Sequence, residues 1–187
     1  MESEVFRNEL KYLCNDAQMV LIENRINNLL TLDSHIKKGN SYRVRSLYLD
    51  DYDNTYFYDN QEGTNPREKM RIRTYNNNKD KIKLELKIKN TGKNLKKGTL
   101  IKEETVRQLI NNKLEYKEEY SALIKKMYIL NKTKLLKPKN IVEYDRTPYA
   151  YELGNVRITL DKNICSSSEL ENFFEDEYNF FFIIRKS

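Results

Sequence analysis

The chain has 187 residues, with 34 Lys and Arg against 28 Asp and Glu and a formal net charge of +6. A 39% hydrophobic composition can build one domain-sized core, and five Gly and three Pro leave little material for a long flexible linker. The 33% charged fraction exceeds the usual quarter, and the basic surplus favours polyanionic partners (nucleic acid, nucleotides, phosphate chains or anionic lipid) without choosing among them.

Cys14 and Cys165 fit no metal-ligand spacing and read as free thiols in a reducing, cytoplasmic compartment. His35 is the one histidine, which argues against His-ligated zinc and against a Ser-His triad. The N-terminus is polar, with no signal-peptide pattern, and the longest aliphatic and aromatic run, Phe180 to Ile184, is too short to span a bilayer.

In chain order, Phe6 to Leu13 alternates Arg7, Glu9 and Lys11 with Phe6, Leu10 and Tyr12, the pattern of a strand with one ionic face. Asp16 can cap a helix from about Ala17 to Leu30, with Val20, Ile22, Ile26, Leu29 and Leu30 as its apolar stripe. Ser34 to Ser41 is a polar loop. Tyr42 to Asp50 is a strand in which Arg43 and Arg45 share a face with Leu47 and Leu49, and Val44, Ser46, Tyr48 and Asp50 share the other, so its faces cannot be assigned. Asp51 to Pro66 is broken by Gly63 and Pro66, with Tyr56, Phe57 and Tyr58 available to dock a short turn.

Lys69 to Lys89 is a hairpin around the polar turn Asn76 to Asp80. Lys69, Arg71 and Arg73 lie on one face against Met70 and Ile72, and Lys83, Glu85, Lys87 and Lys89 oppose Ile82, Leu84, Leu86 and Ile88. Asn90 to Gly98 reads as a polar crossing and Thr99 to Glu103 as a short strand carrying Lys102. Val106 to Ile110 and Tyr116 to Leu130 read as helices. After a basic connection, Lys132 to Lys139, a second hairpin joins Ile141 to Tyr151 with Val156 to Asp161. A Ser-rich, then acidic, stretch leads to a last strand, Tyr178 to Ile184. There is no internal repeat and no domain boundary.

A lone hairpin of this kind turns its charges to solvent. Repetition of the pattern on several strands admits a second arrangement. An antiparallel sheet can close into a barrel or tunnel with a wet, basic lumen and helices packed outside, an α+β fold. Inward cations then require anions, and phosphate chains match Arg forks. Interspersed carboxylates would accept from the cations or ligate a divalent metal.

The segments RNELKY (Arg7 to Tyr12), SLYLDDYDN (Ser46 to Asn54), KMRIRTY (Lys69 to Tyr75), LELKIK (Leu84 to Lys89), and EYDRTPY with NVRITLD (Glu143 to Asp161) come in a definite order. Together they resemble the VTC domain, the polyphosphate polymerase domain of the vacuolar transporter chaperone family, within the CYTH or triphosphate tunnel metalloenzyme superfamily. The resemblance implies one tunnel domain over residues 1–187 that binds ATP and polyphosphate with Mn²⁺ or Mg²⁺. Sequence-specific nucleic acid is not expected, because most Tyr residues lie outside the alternating ionic faces; no transmembrane segment is expected, and recruitment by a membrane partner stays open. By the same resemblance, Lys11, Arg71, Arg73 and Lys87 stand at catalytic positions. Lys102, Tyr144, Arg146 and Arg157 stand at phosphate-binding ones, and Glu9 and Glu85 at those of tunnel carboxylates able to hold metal. The sequence departs from the family where a final strand should carry a metal-binding glutamate. YNFFFIIRKS has none, so a chain lacking its C-terminal portion is expected. The readings that follow are a polymerase moving phosphoryl groups from a nucleoside triphosphate to a polyphosphate chain, a triphosphate or polyphosphate hydrolase, or an inactive polyphosphate- or nucleotide-binding module.

Overall fold

The computed structural model describes residues 8–33, 40–151, 154, 156–176 and 179–182. Its frame is one antiparallel sheet in the order β5-β4-β3-β2-β6-β7-β8, with β1 paired to β6. The strands are β1 Thr31–Leu32, β2 Tyr42–Asp50, β3 Arg67–Tyr75, β4 Lys83–Asn90, β5 Lys93–Leu100, β6 Lys137–Tyr151, β7 Val156–Ser167 and β8 Phe181–Phe182. The helices are α1 Asp16–Asn27, α2 Thr55–Glu62, α3 Glu103–Ile110 and α4 Ala122–Lys134, with a 3-10 turn at Leu170–Phe174.

Strand alternation divides the sheet into two unlike faces. Register sets Leu47 opposite both Ile72 and Ile141, and Ile72 opposite Leu84. These side chains form a continuous core with Val106 and Leu109 of α3, Ile124 and Met127 of α4, and Phe173 and Phe174 of the 3-10 turn. Helix α1 covers the same face at the β6–β7 end, where Ile26 packs on Tyr149 and Leu160. Two polar ties hold it there, Lys162 to Glu23 at 2.6 Å and the Tyr149 hydroxyl donating to Asn27 Oδ1 at 2.9 Å. The helices therefore stack on the apolar face and leave the ionic face to the opposite side of the sheet.

Several sequence expectations change. Residues 8–13 form no strand, and Leu10, Tyr12 and Leu13 are exposed. Alternation says which side chains would share a face, but it does not supply a neighbouring strand to pair with. Phe6 and Arg7 lie outside the described residues, as do His35, Tyr178 and Ile184. The α1 cap is Asn15, whose side chain accepts from the Gln18 backbone N–H while Gln18 reaches back to Asn15 N–H, so Asp16 becomes the first helical residue. The expected crossing at Asn90 to Gly98 is mostly strand β5, paired residue for residue with β4. Lys102 is on no strand: it is the exposed N-cap of α3. Helix α4 starts six residues after Tyr116, at Ala122, where the Ser121 side chain caps it. The strands of the second hairpin extend outward to Lys137 and Ser167. Among the described residues, no helix is long and apolar enough to cross a membrane.

Candidate phosphate site on the ionic face

The register of β2, β3, β4 and β6 assembles the site. Tyr48 lies opposite Arg71, which lies opposite Glu85, and Ser46 lies opposite Arg73. Arg71 Nε donates to Glu85 Oε2 at 2.9 Å, and Arg73 Nη1 lies 3.9 Å from the same oxygen. Gly98, opposite Glu85, brings no side chain, and Lys96 of the edge strand pairs with Glu85 Oε1. A cleft of about 260 Å³ opens here, lined by Lys83, Glu85, Lys96, Gly98, Thr99 and Leu100.

Burial decides how this face should be read. The side chains of Arg73 and Glu85 are 5% and 1% exposed although the helices lie on the other face. A sheet face open to solvent leaves such side chains wet. Here they are packed among one another, as on the inner surface of a tunnel. Burial alone would raise the Glu85 carboxyl, but the Arg71, Arg73 and Lys96 charges outweigh it and hold the group below the ordinary carboxylate range.

Two tyrosines complete the arrangement. Arg71 Nη1 donates to the Tyr48 hydroxyl at 3.4 Å, and Arg73 Nη2 donates to the Tyr144 hydroxyl at 3.2 Å, while Arg73 Nε donates to Ser46 Oγ at 3.1 Å. Each phenolic oxygen accepts from an arginine, which leaves its own O–H to donate to an anion. Burial would raise the Tyr48 phenol, yet Arg71, Arg73 and Lys69 bring it below its usual value. Both tyrosines sit beside breaks in register. The β2–β6 pairing shifts between Tyr48 and Leu49, and the β6–β7 pairing shifts between Glu143 and Asp145, around Asn163 with its φ of 56°. Such irregularities re-aim strand side chains and recur beside functional sites.

Toward the β6–β7 side, Arg146 grips Asp161 with Nε and Nη2, both at 2.7 Å, and its guanidinium lies 5.1 Å from the centre of the Tyr144 ring. Burial would favour the neutral form of Arg146, but the Asp161 fork and the Tyr144 ring drive its pKa upward instead. At the other end Lys69 lies opposite Lys87, and Lys87 opposite Lys96, a row of like charges across three strands. Lys87 is contacted by Glu9, which also lies 3.7 Å from Lys11. Burial, joined by Lys11, Arg67 and Lys87, pulls the Lys69 ammonium below the usual lysine range.

Of the expected site residues, Arg71, Arg73, Glu85, Tyr144 and Arg146 thus form one connected group, with Lys11, Glu9 and Lys87 at its lysine end. Arg157 stands apart. Its register partner is Ala150, two rows beyond Arg146, and its largely exposed side chain lies 3.7 Å from Asp33. Lys102 is not on this face, whereas Lys96 of the edge strand is, paired with Glu85. Ser46, Tyr48, Lys69 and Asp161 were not singled out from the sequence as site residues. The signal for the first two was present in the alternation of β2 but carried no way to choose its faces.

A family model for the VTC domain matches residues 6–185. The chain belongs to the VTC domain family. No curated protein matches it. Among solved structures, this VTC domain resembles a candidate adenylate cyclase from Bacillus halodurans, at 17% identity and a TM-score of 0.51 over 88% of this chain and 73% of that one. It also resembles a candidate adenylyl cyclase from Hippeastrum described as having a dominant triphosphatase activity, at 13% identity and a TM-score of 0.48 over 83% and 70% of the two chains. The α+β fold built on one antiparallel sheet that was expected for the VTC domain is the fold it has, and the Bacillus halodurans structure shares that fold.

The sequence resemblance implies a divalent metal. The carboxylates on the ionic face do not fit that role as they stand. Glu85 is shared by Arg71, Arg73 and Lys96, Asp161 is taken by the Arg146 fork, and Glu9 is held between Lys87 and Lys11. Among the described residues, no three His, Cys, Asp or Glu side chains gather as a metal cluster.

Proposed function

We propose that this VTC domain binds a nucleoside triphosphate and a polyphosphate chain on its ionic face and extends the chain by phosphoryl transfer. The observation that carries the reading is the surplus of cation on the ionic face, its three arginines largely buried, beside two tyrosine O–H donors. Arg71, Arg73, Arg146, Lys69, Lys87 and Lys96 face three carboxylates, Glu85, Asp161 and Glu9, and a phosphate chain would supply the missing negative charge. Free Cys14 and Cys165 accord with a reducing, cytoplasmic setting.

In the transfer, a terminal oxygen of the chain attacks the γ-phosphorus. The bond to the β–γ bridging oxygen breaks, and the nucleoside diphosphate leaves with that electron pair. This chemistry asks for alignment and charge stabilisation rather than a protein nucleophile. Arg71 and Arg73, held rigid by Glu85 and Ser46, would bind the equatorial oxygens, with Tyr48 and Tyr144 donating O–H bonds. Arg146 would hold an adjoining phosphate. Lys11, Lys69, Lys87 and Lys96 would hold the chain at the lysine end. Arg157 and Lys102 would act at most on phosphates outside the central group.

The engagement of every site carboxylate by cations favours a second reading, a polyphosphate-binding module without transfer activity. Incubation with ATP, Mn²⁺ and a short polyphosphate primer separates them. Long polymer supports transfer. Free phosphate alone indicates hydrolysis, and retained binding without turnover indicates the module. Unchanged polyphosphate affinity in an Arg71→Ala, Arg73→Ala double variant would refute all three.

A further inference from the structure

The ionic face is not the same at its two ends. Tyr42 lies opposite Arg146, and Val44 lies opposite both Tyr75 and Tyr144. Tyr42, Tyr75, Tyr144 and Arg146 therefore fill two adjacent rows at one end. The other end holds the lysine row Lys69, Lys87 and Lys96, followed by Arg67 opposite Lys89. A ligand with one aromatic end and one anionic end would lie along this face in a single direction.

The aromatic end has uncommitted ring surface. Tyr144 is already engaged by the Arg146 guanidinium. Tyr42 and Tyr75 instead meet each other edge to face, with centroids 5.7 Å apart and planes at 68°, and both are only half-buried. An edge-to-face pair leaves a ring face without a stacked partner, and aromatic faces beside an arginine are the common platform for a nucleobase. The spacing suits a nucleotide. From Tyr75 to Arg71 is four residues along β3, about 13 Å, and to Lys69 six residues, about 20 Å. A base at Tyr75 would put the ribose and phosphates on Arg73 and Arg71, and the growing chain on the lysines.

We propose that the Tyr42–Tyr75 pair, flanked by Arg146, seats the base of the nucleoside triphosphate and so sets the direction in which the triphosphate lies on the ionic face. The proposal rests on the phosphate reading above, and its test is built to fail separately. Calorimetric titrations would compare ATP with inorganic tripolyphosphate on the wild-type protein and on the Tyr42→Leu, Tyr75→Leu and Tyr42→Phe variants. We expect Tyr42→Leu and Tyr75→Leu each to weaken ATP by about tenfold, the worth of one base–aromatic stack. Tripolyphosphate should stay within about twofold, and Tyr42→Phe should bind ATP as the wild type does. The base seat is overturned if the Leu variants bind ATP unchanged, or if ATP and tripolyphosphate weaken together. It is also overturned, with the phosphate reading intact, if the wild-type protein binds tripolyphosphate as tightly as ATP and the variants do the same. Wild-type protein that binds neither ligand overturns the phosphate reading itself, and the base seat with it.

Discussion

Replacing Glu85 with glutamine keeps the shape of the side chain and removes the one carboxylate that Arg71, Arg73 and Lys96 share. Breaking a buried ion pair from one side costs about 3–5 kcal/mol. Arg71 and Lys96 keep 21% and 53% of their side-chain surface, so water takes up part of the released charge, and about 2 kcal/mol is expected for Glu85→Gln. In a domain of this size each kcal/mol lowers the melting temperature by about 2–4 °C, which gives a drop of about 4–8 °C. Tripolyphosphate should narrow the gap. A ligand at a hundredfold excess over its Kd adds about 2.7 kcal/mol, and the variant, with one fewer internal anion competing for the arginines, should bind more tightly and gain more. The acid limb should change as well. The folded Glu85 carboxyl titrates below its unfolded value, so its contribution is complete above about pH 4.3 and is lost as pH falls through the lower, folded value. Glu85→Gln should therefore lose stability less steeply in acid. Thermal melts by circular dichroism, with and without tripolyphosphate, measure all of this. A variant that melts with the wild type, or a gap that widens under saturating tripolyphosphate, would show that Glu85 does not stand in for phosphate.

Lys69 is held below the usual lysine range by burial and neighbouring cations, and bound phosphate would restore its proton; tripolyphosphate affinity should fall as alkaline pH passes through the lowered value, and Lys69→Arg should flatten that fall in calorimetric titrations. Arg146→Lys cannot reproduce the two-pronged contact with Asp161 and should cost about 1 kcal/mol in denaturant unfolding, with weakened tripolyphosphate binding. Asn15→Ala removes the α1 capping box and should cost about 1 kcal/mol without changing phosphate affinity. Met70→Ala opens a cavity at a fully buried core position and should cost about 2–5 kcal/mol, again with affinity preserved in the fraction that stays folded.

The parts of the fold legible from sequence were those with clean period-two alternation. Lys69 to Lys89 declared both its faces, and register sets Arg71 against Glu85 as the pattern requires. β2 did not declare its faces, because Arg43 and Arg45 interrupt the apolar side. Arg45 turns out to be buried on the core face, its Nε 2.5 Å from Glu143 and its Nη1 donating to the carbonyls of Phe173 and Glu175. That pairing spans 98 residues of sequence, and no local pattern announces it. β5 was missed for a different reason. Lys93, Lys96 and Lys97 make an edge strand look like a loop, and charge of this kind is what blunts an exposed edge. A loop reading of this stretch also passes over Lys96, whose ammonium meets Glu85.

Arg45 and Arg73 lie on neighbouring strands and are equally buried, yet only one belongs to the candidate site. Arg45 faces the core, and its guanidinium is matched there by a carboxylate and by two backbone carbonyls that pin the 3-10 turn. Glu143 is also approached by Arg43 at 3.5 Å, at the exposed margin of the sheet. This cluster ties its guanidinium to the protein's own carboxylate and carbonyl oxygens, deep on the core face. On the opposite face Glu85 is divided among three cations, the hydroxyls of Tyr48 and Tyr144 accept from arginines while keeping a proton to donate, and the next row sets lysine against lysine. Like charges placed opposite one another on adjacent strands cost stability in an empty sheet. Glu9 and Glu85 meet part of that charge, and a face that still sets its spare donors to one side suits an anion. Burial makes both arginines conspicuous, but it is the surplus of cation around Arg73 that makes the ionic face the candidate site.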